Sequence, residues 1–318
     1  VPVLIVLAAL VSVLVIGSKT GDYSSGFNIG IDFSGGTQMT IILGDGAEGD
    51  AYKQNSKIIT DIVQKNRENA PTISYLQRVE ENGESAIRIK YKNTLEDGND
   101  MNALNEAIRA DIYTQYGENN TEDPYFVTYR STSATATSSL LKDAILAAGI
   151  ALIAILLYIV IRFELLSGVS AVIALLHDVI IMFAFTVLFR IQINSSYVAA
   201  VITIISYSIN NTIIVFDRVR ERKRLYDKRA MNYREIADDS ILMTLSRTLF
   251  TSATTIIMVV FLSILGVATM REFTLPIMFG LIAGTYSSMF IAAPTWAMIN
   301  EAIVNGRNKK YAALKANK

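Results

Sequence analysis

The chain has 318 residues, 51% of them hydrophobic, with positive mean hydropathy and no net charge, the profile of a membrane protein. It holds no cysteine and one histidine, which excludes a disulfide framework, a thiol nucleophile and a multi-histidine metal site and argues against a Ser-His-Asp triad. The charges are segregated: 11 Lys/Arg against 18 Asp/Glu in residues 18–140, 8 against 6 in 217–245, and 5 against 1 in 301–318. Basic patches beside apolar segments set membrane topology, so no nucleic-acid partner and no metal site are expected.

Val1–Gly17 is apolar but short for a span, with neither a starting Met nor a basic flank. A signal peptide is the alternative, but no small-x-small cleavage signal precedes the polar region. A retained span, clipped or joined to something upstream, is expected.

Residues 18–140 read as one small α/β domain. Gly35-Gly36 breaks the chain before a strand at Thr37–Leu43. Ala51–Asn66 places Ile58, Ile59, Ile62 and Val63 on one helix face. Thr72–Val79 and Ala86–Lys92 alternate as strands around Asn82-Gly83, a hairpin signal. Met101–Tyr113 returns to helical spacing, and Tyr125–Tyr129 reads as a last strand. The order β-α-β-β-α-β predicts a ferredoxin-like sandwich. Ser131–Ser139, rich in Ser and Thr, predicts a polar hinge.

Five further segments are long and apolar enough to cross a bilayer: Leu141–Ile161, Ser167–Phe189, Tyr197–Phe216, Thr248–Gly266 and Phe273–Ile299. Arginines and lysines follow the fourth span (Arg218, Arg220, Arg222, Lys223, Arg224) and the sixth (Arg307, Lys309, Lys310). The Lys/Arg bias puts both ends in the cytoplasm and residues 18–140 outside. The expected fold is therefore a polytopic α-helical membrane protein with six transmembrane helices and an extracytoplasmic ferredoxin-like α/β domain between the first two. The expected divisions are a first span at 1–17, the outer domain at 18–140, a five-helix bundle at 141–300 and a basic cytoplasmic tail at 301–318.

Polar residues interrupt these spans, and polar groups in hydrocarbon are costly enough to mark a pathway or a helix contact. His177-Asp178 lies near the middle of the third span; it reads as an ion relay or gate, or as a structural bond to a neighbouring helix. In the fourth, Tyr207, Asn210 and Asn211 share a face at i, i+3 and i+4, with Ser208 one turn before Thr212. An amide ligates a cation or locks helices together but exchanges no proton near neutral pH. The fifth opens with Arg247-Thr248, then Thr251, Ser252 and Thr255 on one side; Arg247 either joins that polar face or snorkels to the surface. Gly280, Gly284 and Ser288 recur every four residues in the sixth, a spacing that lets helices approach closely. No phosphate-binding loop and no HExxH pair occurs, so the chain is not expected to be an enzyme or to hydrolyse nucleotide.

Several blocks, in order, carry a resemblance. They are Gly30–Thr37 (GIDFSGGT), Arg162-Phe163-Glu164, Ala174–Asp178 (ALLHD), Tyr207–Arg220 (YSINNTIIVFDRVR), Ser246-Arg247-Thr248 with Thr251–Thr255, and Gly284–Ser288 (GTYSS). Together they resemble SecF, the subunit that accompanies SecD in the Sec protein-export pathway. The resemblance covers nearly all of the membrane part and the start of the outer domain. It implies the resistance-nodulation-division architecture, a multi-pass protein of a prokaryotic inner or plasma membrane, and SecD as partner. It also implies the Sec channel (SecY, SecE, SecG), YidC, YajC and preproteins as partners. The drive would be a proton or sodium gradient, with no cofactor.

In that family an Asp of the fourth SecF span acts with the Arg of the fifth, and another Asp belongs to SecD. Here Asn211 stands at that position, beside Asn210 and Thr212, and Arg247 is kept. Three readings stay open: the path relies on SecD's carboxylate, Asn211 ligates sodium, or coupling is weak. Asp178 and Asp217 are the nearest carboxylates in the pattern, and Asp217, with Arg218 and Arg220, suits a cytoplasmic anchor. Asp32, Gly35 and Gly36 belong to the structural motif of the outer domain. The competing functions are a non-transporting assembly scaffold and a half-transporter for lipids or small molecules.

Overall fold

A computed structural model describes residues 2–20, 23–65, 72–81, 83–92, 98–116, 126–162, 164–226, 232–266 and 268–316. Val1, Asn66, Asn82, Tyr125, Phe163 and Val267, which belong to expected segments, lie outside the described residues.

The first helix, α1 (Pro2–Thr20), exposes Val3, Leu4, Leu7, Leu10, Val11 and Leu14. Its Ala9 packs instead with Ala184 and Val187 of a later helix. A short helix α2 (Ile31–Ser34) then ends at Gly35 and Gly36, with φ of 68° and 100°. These left-handed angles favour glycine. A Cβ on Gly36 would sit 2.4 Å from the carbonyl oxygen of Tyr91. The glycine pair thus turns the chain tightly into the first strand and lets it lie against its neighbour.

The domain follows as β1 (Gly36–Ile42), α3 (Gly49–Lys65), β2 (Thr72–Glu81), β3 (Glu84–Lys92), α4 (Gly98–Tyr116) and β4 (Val127–Thr132). The strand order is β2-β3-β1-β4 and every pairing is antiparallel, the arrangement of a ferredoxin-like sandwich. Ile59 and Val63 of α3 and Ile108 and Ile112 of α4 bury against Met39, Ile41, Ile87 and Ile89 of the sheet. The polar hinge expected at Ser131–Ser139 is not formed. Ser131 pairs with Thr37 in the sheet, and the Ser133 hydroxyl accepts from the Ala136 N–H at 3.2 Å to start the next helix. Ser and Thr in a paired strand and at a helix start satisfy the backbone as well as a loop does.

The remaining helices are α5 (Ala134–Arg162), α6 (Leu165–Leu188), α7 (Ser195–Leu225), α8 (Tyr233–Leu265), α9 (Ala268–Ser287), a π-helical turn at Ser288–Ala292, and α10 (Ala293–Ala316). Among the described residues, five helical stretches are long and apolar enough to cross a membrane, α9 through α10 counting as one; α1 is apolar over the shorter Pro2–Ser18. The 31 residues of α7 and 33 of α8 span roughly 45–50 Å, against a hydrocarbon core of about 30 Å. Both therefore project beyond a bilayer at their basic end. Arg222 of α7 meets Asp239 of α8 there, so much of 217–245, expected as a connection, is paired helix. The basic segment after residue 300 likewise continues α10.

The α/β domain is bolted to the helix bundle by backbone as well as side chains. Gly30 N–H donates to Ile193 O at 2.8 Å, and Ile193 N–H donates to Asn28 O at 2.8 Å. Asp32 accepts from the backbone N–H and the hydroxyl of Ser195, at 3.1 and 2.8 Å, so a carboxylate sits at the start of α7, where the helix dipole favours it. Glu272 accepts from Arg88 of β3 and from Asn194, both at 2.8 Å, while Arg271 pairs with Glu80 at 3.1 Å. Lys90 of β3 is buried and donates to Asn28 at 3.0 Å. Burial pushes its ammonium down to about 8, against the opposing pull of Glu272. The segment Arg190–Ser195 together with Arg271 and Glu272 is thus the seat of the α/β domain.

Candidate functional site

Three helices meet at Asp178. The residue lies midway along α6 and is fully buried. One carboxylate oxygen accepts from the Ser208 hydroxyl of α7 and from the Ser287 hydroxyl of α9, the latter at 2.7 Å. The other lies 2.9 Å from Nδ1 of His177. Charge-assisted bonds of this kind offset the cost of taking a carboxylate out of water. The opposite ring nitrogen, Nε2, is buried without a partner.

Small residues make the meeting point. A Cβ on Gly280 would fall 2.5 Å from the Ile204 side chain, and one on Gly284 would fall 3.2 Å from Ser208 Cβ and 3.5 Å from the Asp178 carboxylate. The two glycines let α9 lie directly on α7. The π-helical turn begins at Ser288, next to the carboxylate-binding Ser287, and single π turns of this sort recur where helices carry a site. Ser288 itself donates to its own helix, to Thr285 O at 3.1 Å.

A second polar layer joins α7 to α8. The Tyr207 hydroxyl donates to Ser252 at 3.2 Å. This contact and the Arg222–Asp239 pair fix the two helices as antiparallel. One turn from Tyr207 toward the basic end lies Asn211, and one turn from Ser252 in the same direction lies Thr248. Both are 0% exposed. Neither atom of the Asn211 amide, nor the Thr248 hydroxyl, has a hydrogen-bond partner. Each such group costs about 1–3 kcal/mol. Thr212 is buried beside them.

The sequence reading placed Asn210 on one face with Asn211, and Arg247 on one face with Thr248 and Ser252. The structure separates them. Asn210 and Arg247 are exposed, while Asn211, Thr248 and Ser252 are buried. Neighbouring residues on a helix point about 100° apart, so a packed face takes one and leaves the other. Thr203 and Ser206 of α7 and Thr251 and Thr254 of α8 are exposed as well. These hydroxyls donate to carbonyls of their own helices, whereas the side chains of Asn210 and Arg247 have no partner among the described residues. Leu249, Phe250, Ile257 and Met258 of α8 are exposed too. The result is a polar stripe on an apolar surface.

At the basic end, Asp217 and Arg220 are exposed and Arg218 pairs with Glu221. The residue that sequence reasoning missed is Ser287. Its signal was present in the second-last position of the GTYSS block, three residues after Gly284, but the spacing of four pointed to Ser288.

Comparison with known proteins identifies the family. The family model described as "Protein export membrane protein SecD/SecF, C-terminal" matches residues 112–302. The protein translocase subunit SecF of Helicobacter pylori (strain ATCC 700392 / 26695) is 34% identical over 291 residues, covering 91% of this chain and 82% of that one. SecF of Borreliella burgdorferi is 34% identical, with 92% of each chain covered. The crystal structure of SecDF, a translocon-associated membrane protein from Thermus thermophilus, superposes with a TM-score of 0.67 at 26% identity. That match takes in 94% of this chain but 38% of the SecDF chain. The chain belongs to the SecF family of protein translocase subunits.

Proposed function

We propose that this chain pairs with SecD and assists late, ion-gradient-driven steps of preprotein export through the Sec channel of SecY, SecE and SecG. YidC and YajC are further partners of that assembly. In this reading α1 is a sixth span, both termini are cytoplasmic, the α/β domain lies outside a prokaryotic cell membrane, and the chain hydrolyses no nucleotide. The basic ends of α7 and α10 support the orientation.

The observation that carries the proposal is the exposed stripe of Asn210 and Arg247. An unpartnered arginine facing hydrocarbon is costly, so this face calls for a protein partner with acceptors at the same depth. SecD, with a carboxylate there, meets that need. The buried Asn211, Thr248 and Thr212 then line the path as hydrogen-bonding groups or sodium ligands, since an amide carries no proton. Asp178 is the carboxylate this chain can itself offer to a proton or sodium ion.

The chain lacks cysteine, so Asn210→Cys introduces a unique cross-linking site. Cross-linking to SecD is expected from this position and not from Met298→Cys, on another exposed face. Equal cross-linking from both, or export that stays gradient-dependent after deletion of the chain, rejects the proposal. Asn211 favours a second reading, an assembly scaffold without ion coupling. If neither Asn211→Asp nor Arg247→Ala alters the gradient dependence of export, the scaffold is the better account.

A further inference from the structure

His177 sits at the edge of the Asp178 junction, and one end of its ring is unused. Nδ1 faces one carboxylate oxygen at 2.9 Å, while the hydroxyls of Ser208 and Ser287 take the other. Nε2, at the far end of the imidazole, is buried without a partner. The side chain as a whole is 16% exposed. Its α6 neighbours Ile173, Leu176 and Ile180 are exposed, so His177 lies between the packed core and the surface of the bundle. Tyr286 of α9 covers it there, with ring centroids 6.0 Å apart, and is itself exposed beside Phe290. Among the described residues, Asp178 and Tyr286 are the titratable groups in contact with His177. From α7 and α9 the pair meets only the two serine hydroxyls besides.

The export reading leaves two ions open, and these contacts favour one. Sodium takes oxygen ligands, and here it competes with the three groups that already hold the carboxylate. A proton needs one lone pair, and a neutral imidazole always has one bare nitrogen. If that nitrogen is Nε2, a proton lands there and every contact of Asp178 is kept. The imidazole becomes an imidazolium, and the pair goes from one net negative charge to none. If the bare nitrogen is Nδ1, Asp178 holds the proton that faces it. That is the same loaded pair with its protons redistributed. A pair without net charge costs less inside a membrane than a lone carboxylate.

Resting on the export reading, which needs an ion site, we propose that His177 is the proton-binding residue of this chain. The proton reaches Nε2 at the seam of α6 and α9 beside Tyr286, and the His177–Asp178 pair holds it. Loading removes the net charge to which Ser208 and Ser287 donate and so weakens their hold. Ser208 adjoins Tyr207, which bonds to Ser252 of α8. A change at the pair therefore reaches the α7–α8 contact through adjacent residues of one helix.

His177 is the only histidine, so ring-nitrogen NMR of the chain labelled at histidine, purified without a histidine tag, reads this residue alone. Spectra are taken in detergent micelles from about pH 9 to pH 5, the range in which imidazoles change charge. The ring is expected to gain a proton reversibly as the pH falls, and Asp178→Asn to displace that step. Exchanging potassium for sodium at fixed pH is expected to leave the ring signals unchanged. His177→Asn keeps a donor toward Asp178 but has no nitrogen that takes a proton. It is expected to keep the wild-type circular dichroism and to lose the response of export to an imposed proton gradient. A ring with one protonation state across the whole range overturns the proposal. So does His177→Asn exporting with the wild-type response. Ring signals that shift with sodium at fixed pH overturn it and assign the pair to sodium. Wild-type export without any gradient dependence rejects the export reading instead; the NMR titration, which needs no export, still decides whether His177 binds the proton.

Discussion

Ser287, the last residue of α9, donates a 2.7 Å hydrogen bond to Asp178 of α6. The same carboxylate oxygen accepts from Ser208 of α7. Three sequence blocks, ALLHD, YSINNT and GTYSS, thereby converge on one buried atom. Breaking such a junction leaves a charge or two hydroxyls unpaired. Asp178→Ala is expected to lower stability by about 3 kcal/mol, in the range for removing one partner of a buried ionic network. Asp178→Asn keeps the size and an acceptor oxygen, so it is expected to cost less. Thermal unfolding in detergent measures both. If Asp178 also serves the ion, Asp178→Asn abolishes the gradient dependence of export while the protein stays folded. An Asn variant with wild-type gradient dependence would confine Asp178 to a structural role.

The close approach of α9 to α7 yields a second expectation. A Cβ at position 280 would overlap the Ile204 side chain at 2.5 Å, and cores tolerate such overpacking poorly. Gly280→Ala is expected to destabilise by about 1–3 kcal/mol. Ile204→Val in the same chain is expected to relieve part of the loss, giving a coupling energy in a double-mutant cycle. Additive effects would mean that the helices do not touch there.

Lys90 gives the α/β domain a pH dependence. Its value falls from 10.5 to about 8 because it is buried, with Glu272 and Asp32 opposing the shift and Arg88 and Arg190 adding to it. A base with a lowered folded value binds fewer protons folded than unfolded, so stability rises with pH between the two values. The contribution is lowest below pH 8 and grows from there to 10.5, by about 3 kcal/mol at most. Lys90→Met is expected to flatten the unfolding temperature across pH 8–10. A slope that persists in the variant assigns the effect to another group.

How much of this was legible in the sequence depends on the length scale of each feature. The β-α-β-β-α-β order is written in local periodicity, and Ile59, Val63, Ile108 and Ile112 carry it into the core. The apolar helices are legible for the same reason. Faces within the membrane were not. Apolar residues surround polar ones on every side, so periodicity does not say which of Asn210 and Asn211, or of Arg247 and Thr248, turns inward. Packing decides that, for α7 through Gly280 and Gly284 of α9. The partners of Asp178 were hidden too, because Ser208 and Ser287 lie 30 and 109 residues away in the chain. Asp32 read as part of a structural motif, yet its contact with Ser195, 163 residues on, came only with the fold.

Asn211 provides the last expectation. Its amide is 0% exposed and neither of its polar atoms is bonded. Replacing both polar atoms with a side chain of similar shape removes a cost of about 1–3 kcal/mol. Asn211→Leu is therefore expected to raise the unfolding temperature in detergent. A residue held against such a gain is the mark of a site kept for function rather than stability. Export should then fall in the same variant, and fall further than in Asn210→Leu, which changes the exposed neighbour. Two other results count against a functional role. If Asn211→Leu is less stable, the amide has a structural partner. If it is more stable and exports as well as the wild type, the buried polar layer between α7 and α8 takes no part in transport.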